Sequence, residues 1–259
     1  GSKIKLAKNE VIMQTINDDN FSSLLAFSNK GKMYTLNIDD LPVNAKVNIA
    51  QYFEFENGEH ITTATSLARK NEVKYFTFIT KNGMIKKTKA SEYEHKRGKS
   101  LKAINLKDDD EVVNVHFTNG EKVGILTSYG NFVIIDTEEI NPIGRATAGV
   151  RAIKLNEDDC VISSKSINDN DKLMITTSKR GLIKKSSLSD FPVCNRGIKG
   201  KKISGIRDED KIVDFLTIDG DYDIINISNR GTIKFNTSDL RVLSRDATGV
   251  KAIKLDDND

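Results

Sequence analysis

The chain is poor in cysteine, histidine and proline, and each scarcity narrows what the protein can be. Its two cysteines, Cys160 and Cys194, are far apart and in no metal-like spacing. They read as buried or incidental thiols of a reducing compartment. The three histidines, His60, His95 and His116, fall in different stretches, and none has a second His or Cys at ligand spacing. A metal site is therefore not expected. No P-loop, dinucleotide fingerprint or G-x-S-x-G occurs, so neither a cofactor nor a catalytic nucleophile is expected. No apolar run approaches the ~18–20 residues of a membrane span, and no signal-peptide pattern opens the chain. A cytoplasmic protein without a membrane partner is the expectation. With 3 Pro, 37% hydrophobic and 30% charged residues, the composition suits a folded, soluble chain rather than a disordered one. Gly1-Ser2 reads as a tag-cleavage remnant, and 3–259 reads as a single domain.

Nor does one sign of charge dominate. Lys and Arg number 40 against 37 Asp and Glu, a formal net charge of +3. If the protein binds nucleic acid, its positive charge must be segregated onto one face.

What the chain does have is an internal repeat. Five segments align on a glycine: Gly31, Gly83, Gly130, Gly181 and Gly231. Three residues earlier stands Ser28, Thr80, Thr127, Ser178 or Ser228. Two residues later stands Met33, Ile85, Phe132, Ile183 or Ile233. About ten residues on comes an acid and then an apolar residue: Asp40-Leu41, Glu92-Tyr93, Glu139-Ile140, Asp190-Phe191 and Asp239-Leu240. Each segment reads as a β-hairpin, apolar in its first arm, with the glycine at a turn that needs φ > 0. Between hairpins recurs an acidic turn before a short apolar strand, as in 106–113, 155–162 and 206–213, with a looser copy at 6–13. A unit of about 50 residues thus holds about four short strands and no helical periodicity. The expected architecture is all-β and propeller-like, with five complete hairpin units and part of a sixth, in a ring incomplete or loosely closed. An open solenoid of hairpins is the alternative.

The carboxylates recur with the repeat, so turn formation and solubility explain them better than a catalytic pair would. The cations collect in the connection after each hairpin: 94–106, 144–155, 195–206 and 244–255. From Arg196 to Lys202 there are four positives, Arg196, Lys199, Lys201 and Lys202, with no acid until Asp208. Small residues between them would let a phosphate backbone approach the main chain. Recurrence in one place of every unit predicts a basic belt, suited to bent DNA held by its phosphates.

The hairpin motif TSKRGLIKKSSLSDF and the recurring R-x-x-x-GV-x-A-I-K-L connection, Arg145 to Leu155 and Arg245 to Leu255, carry a resemblance. They are similar to the C-terminal domain of the A subunits of bacterial type IIA topoisomerases, that is DNA gyrase A and ParC of topoisomerase IV. The resemblance implies a β-pinwheel whose neighbouring blades exchange a strand. It implies a non-catalytic part of an ATP-dependent topoisomerase that binds and bends or wraps duplex DNA for strand passage. Its partners would be duplex DNA, the rest of gyrase A or ParC, and gyrase B or ParE; the isolated domain would be a monomer, nucleoid-associated in the cell. The Gln-Arg-Arg-Gly-Gly-Lys-Gly box of gyrase A is absent. Either it lay before this chain begins, or the domain is of the ParC kind; Asn195 to Gly200 keeps only R-G-x-K-G.

The candidate phosphate contacts are Lys96, Arg97, Lys99, Arg145, Arg151, Arg196, Lys199, Lys201, Lys202, Arg245 and Lys251. Lys86, Lys87, Lys184 and Lys185 on the second hairpin arms are a second tier, to be read equally as solvated strand residues. The connection 42–49 has Lys46 as its single cation and should contribute less. The rival function is a propeller that binds protein partners through its end loops.

Overall fold

The computed structural model describes Gln14, Ile16 and residues 22–94, 100–203, 210–228 and 231–251. The chain forms two compact units. One comprises Gly1–Thr80, Ile85–Asn119 and Ile140–Val150; the other comprises Lys81–Met84, Gly120–Glu139 and Arg151–Asp259. The acidic-turn copy at 6–13 and the chain end at 255–259 lie outside the described residues.

The first hairpin is β1 (Ser23–Ser28) and β2 (Lys32–Asn37), with β3 (Ile61–Ser66) beside β1. β4 (Tyr75–Thr80) and β5 (Met84–Lys89) form the second hairpin. β6 (Leu101–Lys102) then returns to β2, and β7 (Val112–Thr118) pairs with β4. The third hairpin is β8 (Lys122–Thr127) and β9 (Asn131–Asp136), followed by β10 (Val150–Arg151) beside β5 and β11 (Val161–Ile167) beside β8. The fourth is β12 (Leu173–Ser178) and β13 (Leu182–Ser187), followed by β14 (Lys201–Lys202) on β9 and β15 (Ile212–Ile218) on β12. The fifth is β16 (Asp223–Ser228) and β17 (Gly231–Asn236); β18 (Val242–Leu243) and β19 (Val250–Lys251) both join β13.

One rule generates the sheets around the first four hairpins. Each takes an outer strand on its first arm from the connection that follows it. Its second arm takes a short strand from the connection one repeat later. This is the strand exchange between blades, and it explains the tip glycines. Gly31 has φ +78°. Its carbonyl accepts the N–H of Ala103 at 2.8 Å, and a Cβ there would lie 2.9 Å from the Ile104 side chain. The Ser/Thr column also finds its cause. Thr127 Oγ1 accepts the Asn131 N–H at 3.1 Å, and Ser178 Oγ accepts the Leu182 N–H at 3.0 Å, closing each turn from inside.

The acid–apolar column marks short 3-10 turns, at Ile38–Asp40, Ala90–Glu92, Thr137–Glu139, Leu188–Asp190 and Thr237–Asp239. The residue after the turn packs inward, with Tyr93, Ile140 and Phe191 buried. The chain's three prolines, Pro42, Pro142 and Pro192, all follow these turns. After Pro142 and Pro192 the next residue meets the second arm of the hairpin one repeat earlier. Ile143 N–H donates to Lys87 O at 2.8 Å, and Val193 makes a parallel bridge to Ile134.

The acidic turns are built for the hairpin tips, as expected of turn residues. Asp159 Oδ1 accepts the Ser128 hydroxyl at 2.8 Å and the Tyr129 N–H at 3.1 Å. Asp210 Oδ1 accepts the Arg180 N–H at 2.9 Å. Asp108, Asp109 and Asp158 adopt positive φ, the local conformation in which Asp is tolerated.

In the first unit the core gathers Phe27, Met33, Phe76, Phe78, Tyr93 and Val115. Phe27 meets Phe76 edge to face at 5.4 Å between ring centroids. In the other unit Phe132, Ile134, Met174, Leu188, Phe191 and Phe215 form the equivalent cluster. The second hairpin is covered on both faces, which is why Tyr75-Phe76-Thr77-Phe78-Ile79 reads as an unbroken run. One element departs from the all-strand expectation: α1 (Leu67–Glu72) links β3 to β4, with Ser66 Oγ accepting the Arg69 N–H at 3.0 Å as its N-cap.

Candidate nucleic-acid interface

The connection after a hairpin must be fixed before its cations can act together, and a repeated arginine fixes it. Arg145 donates from its guanidinium to the carbonyl of Lys102, Arg196 to that of Arg151 at 3.5 Å, and Arg245 to that of Lys202 at 3.2 Å. Each acceptor is the last residue of an exchanged strand: β6, β10 and β14. Each connection is thus stapled to the one before it. Of the three, Arg196 is exposed, and its remaining guanidinium N–H groups can serve an anion.

A second fixing device corrects the sequence expectation for Lys86, Lys87, Lys184 and Lys185. All four are buried, so they are neither solvated strand residues nor phosphate ligands. Adjacent lysines on a second arm suggest an open face, but both faces are covered. Each ammonium whose bonds are resolved turns to backbone carbonyls instead. Lys86 Nζ donates to Ala103 O at 2.8 Å, to Gly144 O at 3.4 Å and to Arg145 O, and lies 5.0 Å from the Phe78 ring centre. Lys184 Nζ donates to Arg245 O, and Lys185 Nζ to Thr237 O at 2.7 Å. Burial pushes the Lys86 ammonium down to about 7, with Glu92 opposing and Arg145 adding to the fall. Burial also lowers Lys184, against Asp246 and with Arg245. The lysines hold the loops that carry Arg145 and Arg245.

The structure brings several candidates together in the second unit. Arg151, Arg196, Lys199, Lys201 and Lys202 are exposed, and Arg245 is half-buried. Their connections are tied by Gly197 N–H to Ala152 O at 2.6 Å and Lys154 N–H to Ile198 O at 2.8 Å. Among the described residues none of Arg151, Arg196, Lys199, Lys201 and Lys202 forms an ion pair; Arg245 lies 3.8 Å from the Asp246 carboxylate. Arg145 sits in the other unit, half-buried, and its N–H donates to Glu92 Oε2 at 2.7 Å. Lys251 is the last residue of β19. Lys96, Arg97 and Lys99 lie outside the described residues.

One further group of cations joins Lys102 of the 94–106 connection to two lysines that the sequence does not single out, Lys30 and Lys32. A groove of about 400 Å³ in the first unit is lined by Lys30, Lys32, Ser100, Lys102, Ile104, Asn105 and Leu106. Lys32 pairs there with Glu56 at 2.6 Å. The signal was Lys30 in the tip position of the first hairpin, which only the exchanged β6 turns into a groove wall.

The family profile described as "DNA gyrase C-terminal domain, beta-propeller" matches residues 22–66, 74–119, 125–168, 171–219 and 227–259, one stretch per hairpin repeat. The chain belongs to this family. Among curated relatives it is 30% identical over 259 residues to the DNA gyrase A protein of Staphylococcus epidermidis, covering 96% of this chain and 29% of that protein. It is 36% identical over 183 residues to the corresponding A protein of DNA topoisomerase 4 from Bacillus subtilis, covering 68% of this chain and 23% of that protein. The chain thus spans less than a third of the length of these relatives. The solved C-terminal domain of DNA topoisomerase IV matches with a TM-score of 0.81 at 29% identity, covering 90% of this chain and 75% of that one. A gyrase A C-terminal domain matches with a TM-score of 0.75 at 22% identity, covering 95% and 86%, and so speaks for the fold. The expected all-β, propeller-like family is thereby established. Among the described residues no helix is long and apolar enough to cross a membrane.

Proposed function

We propose that this gyrase-type C-terminal domain binds duplex DNA without reading its sequence, through phosphate contacts from the repeated basic connections. It would bend the duplex and present it to the body of a gyrase A or ParC type protein, working with a gyrase B or ParE type partner. The domain itself would carry no catalytic step. The observation that supports this most is the division of charge in the third and fourth repeats. Asp159 and Asp210, one carboxylate in each of two acidic turns, are spent on hairpin-tip N–H groups, whereas Arg196, Lys199, Lys201 and Lys202 are exposed on a stapled connection and form no ion pair among the described residues.

Of the candidates, Arg151, Arg196, Lys199, Lys201, Lys202 and Arg245 are assigned the leading role. Arg145, Lys251, Lys96, Arg97 and Lys99 are assigned phosphates by their place in the repeat. The test is charge reversal of Arg196, Lys199, Lys201 and Lys202 together, with the fold checked by circular dichroism. The expected result is loss of most duplex affinity and a shallower salt dependence, each phosphate contact being worth about −0.9 in log–log slope. Unchanged affinity in a folded variant would overturn the assignment.

A further inference from the structure

Ile198 breaks the pattern of its own repeat. Aligned on Arg145, Arg196 and Arg245, its position is held by Thr147 in the preceding connection and Ala247 in the following one. The backbone does the same work in both places where it is paired: Asn105 N–H donates to Thr147 O at 3.0 Å, and Lys154 N–H donates to Ile198 O at 2.8 Å. The fold therefore asks for a carbonyl here and places no demand on the side chain. Yet the chain puts a branched apolar residue at this point and leaves it 44% exposed.

Its surroundings hold it still and charge its flanks. Ile198 makes a parallel bridge with Ile153, and Gly197 N–H donates to Ala152 O at 2.6 Å. Gly197 and Gly200, at φ +85° and +79°, turn the chain sharply on either side. Arg196, Lys199, Lys201 and Lys202 are exposed around it. An apolar tip of fixed backbone, ringed by cations, has the chemistry of a wedge that enters between stacked bases while the cations hold the neighbouring phosphates.

We propose that Ile198 is such a wedge: it inserts from the minor groove into a base step of the bound duplex, partly unstacks it, and sets the position of a kink. This rests on the duplex-binding reading above. It adds that binding is not uniform along the DNA, because pyrimidine–purine steps such as TA open more easily than A-tracts. The kink would therefore favour a TA step although no base edge is read.

The experiment uses the whole chain and a short duplex carrying 2-aminopurine beside a single TA step, with an end-labelled copy for the bend angle by energy transfer. The variants are Ile198→Thr and Ile198→Ala, the residues that the repeat itself places there. The wild type should raise 2-aminopurine fluorescence and bend the duplex. Both variants should lose the rise and reduce the bend, while affinity falls less than about tenfold and the salt slope stays, since every cation remains. Fluorescence and bend unchanged in the two variants would overturn the wedge. Salt-sensitive binding by the wild type without unstacking would overturn the wedge alone. No salt-sensitive binding at all would overturn the duplex reading and the wedge with it.

Discussion

Lys86 carries its ammonium among the carbonyls of Ala103, Gly144 and Arg145, beside the Phe78 ring and the Tyr93 hydroxyl. Its burial-lowered pKa, about 7 against an ordinary 10.5, ties stability to pH with a definite sign. Below about pH 7 both folded and unfolded chains hold the proton, and the penalty of burying charge is fully present. Between there and the ordinary lysine value the unfolded chain binds more protons, so stability rises with pH. Lys86→Met should flatten that rise. At pH 9 it should also cost about 1–3 kcal/mol, because carbonyls are left unsatisfied, and the deficit should shrink at pH 6. Urea unfolding of both proteins at the two pH values checks this. A second residue-scale contrast lies in one acidic turn. Asp159→Ala should cost about 1–3 kcal/mol by stranding the Ser128 and Tyr129 donors, whereas exposed Glu157→Ala should stay within about 0.5 kcal/mol. Equal losses in thermal denaturation would contradict the clamp.

At the scale of the element, the exchanged strand is the feature on which each blade depends. Gly149 precedes β10, and a Cβ there would stand 2.5 Å from Ile85 O, too close for any side chain. Gly149→Ala should therefore lower stability by more than about 2 kcal/mol, read from the urea midpoint, while Thr147→Ala on the same connection should cost under about 1 kcal/mol. Much at this scale was legible in the sequence. The tip glycines, the apolar arms and the acidic turns all keep register because each repeat solves the same local problem. The buried lysines were not legible, since the run Ile183, Lys184, Lys185 puts a lysine on each face, and residue type alone reads such lysines as solvated. Nor was the arginine staple: its acceptors are backbone carbonyls, which no residue type announces. The helix Leu67–Glu72 is too short to show a period, although Ser66 was a readable cap.

For the whole molecule, the near balance of charge says little until its placement is known. The structure spends Asp159 and Asp210 on hairpin tips and leaves Arg151, Arg196, Lys199, Lys201 and Lys202 exposed. The sequence located those connections, because they recur. What it could not show is that Arg145, Arg196 and Arg245 fasten the connections as well as charge them. Arg196→Lys should therefore keep the charge but lose the planar fork that reaches Arg151 O, loosening the loop with little loss of net attraction. Hydrogen exchange at the Gly197 amide should speed up in that variant, and its salt slope should match the wild type.

Whether these connections hold phosphates is decided by duplex affinity of this chain across a range of salt concentrations, read together with linking number on a nicked, religated circle. Affinity should fall steeply and linearly in log–log form, with a slope set by several phosphates. A change in linking number alongside would mean that the domain wraps DNA; its absence would mean that it bends or holds DNA. Affinity indifferent to salt, or no binding at low salt, would contradict the claim and favour a propeller that meets protein partners through its end loops.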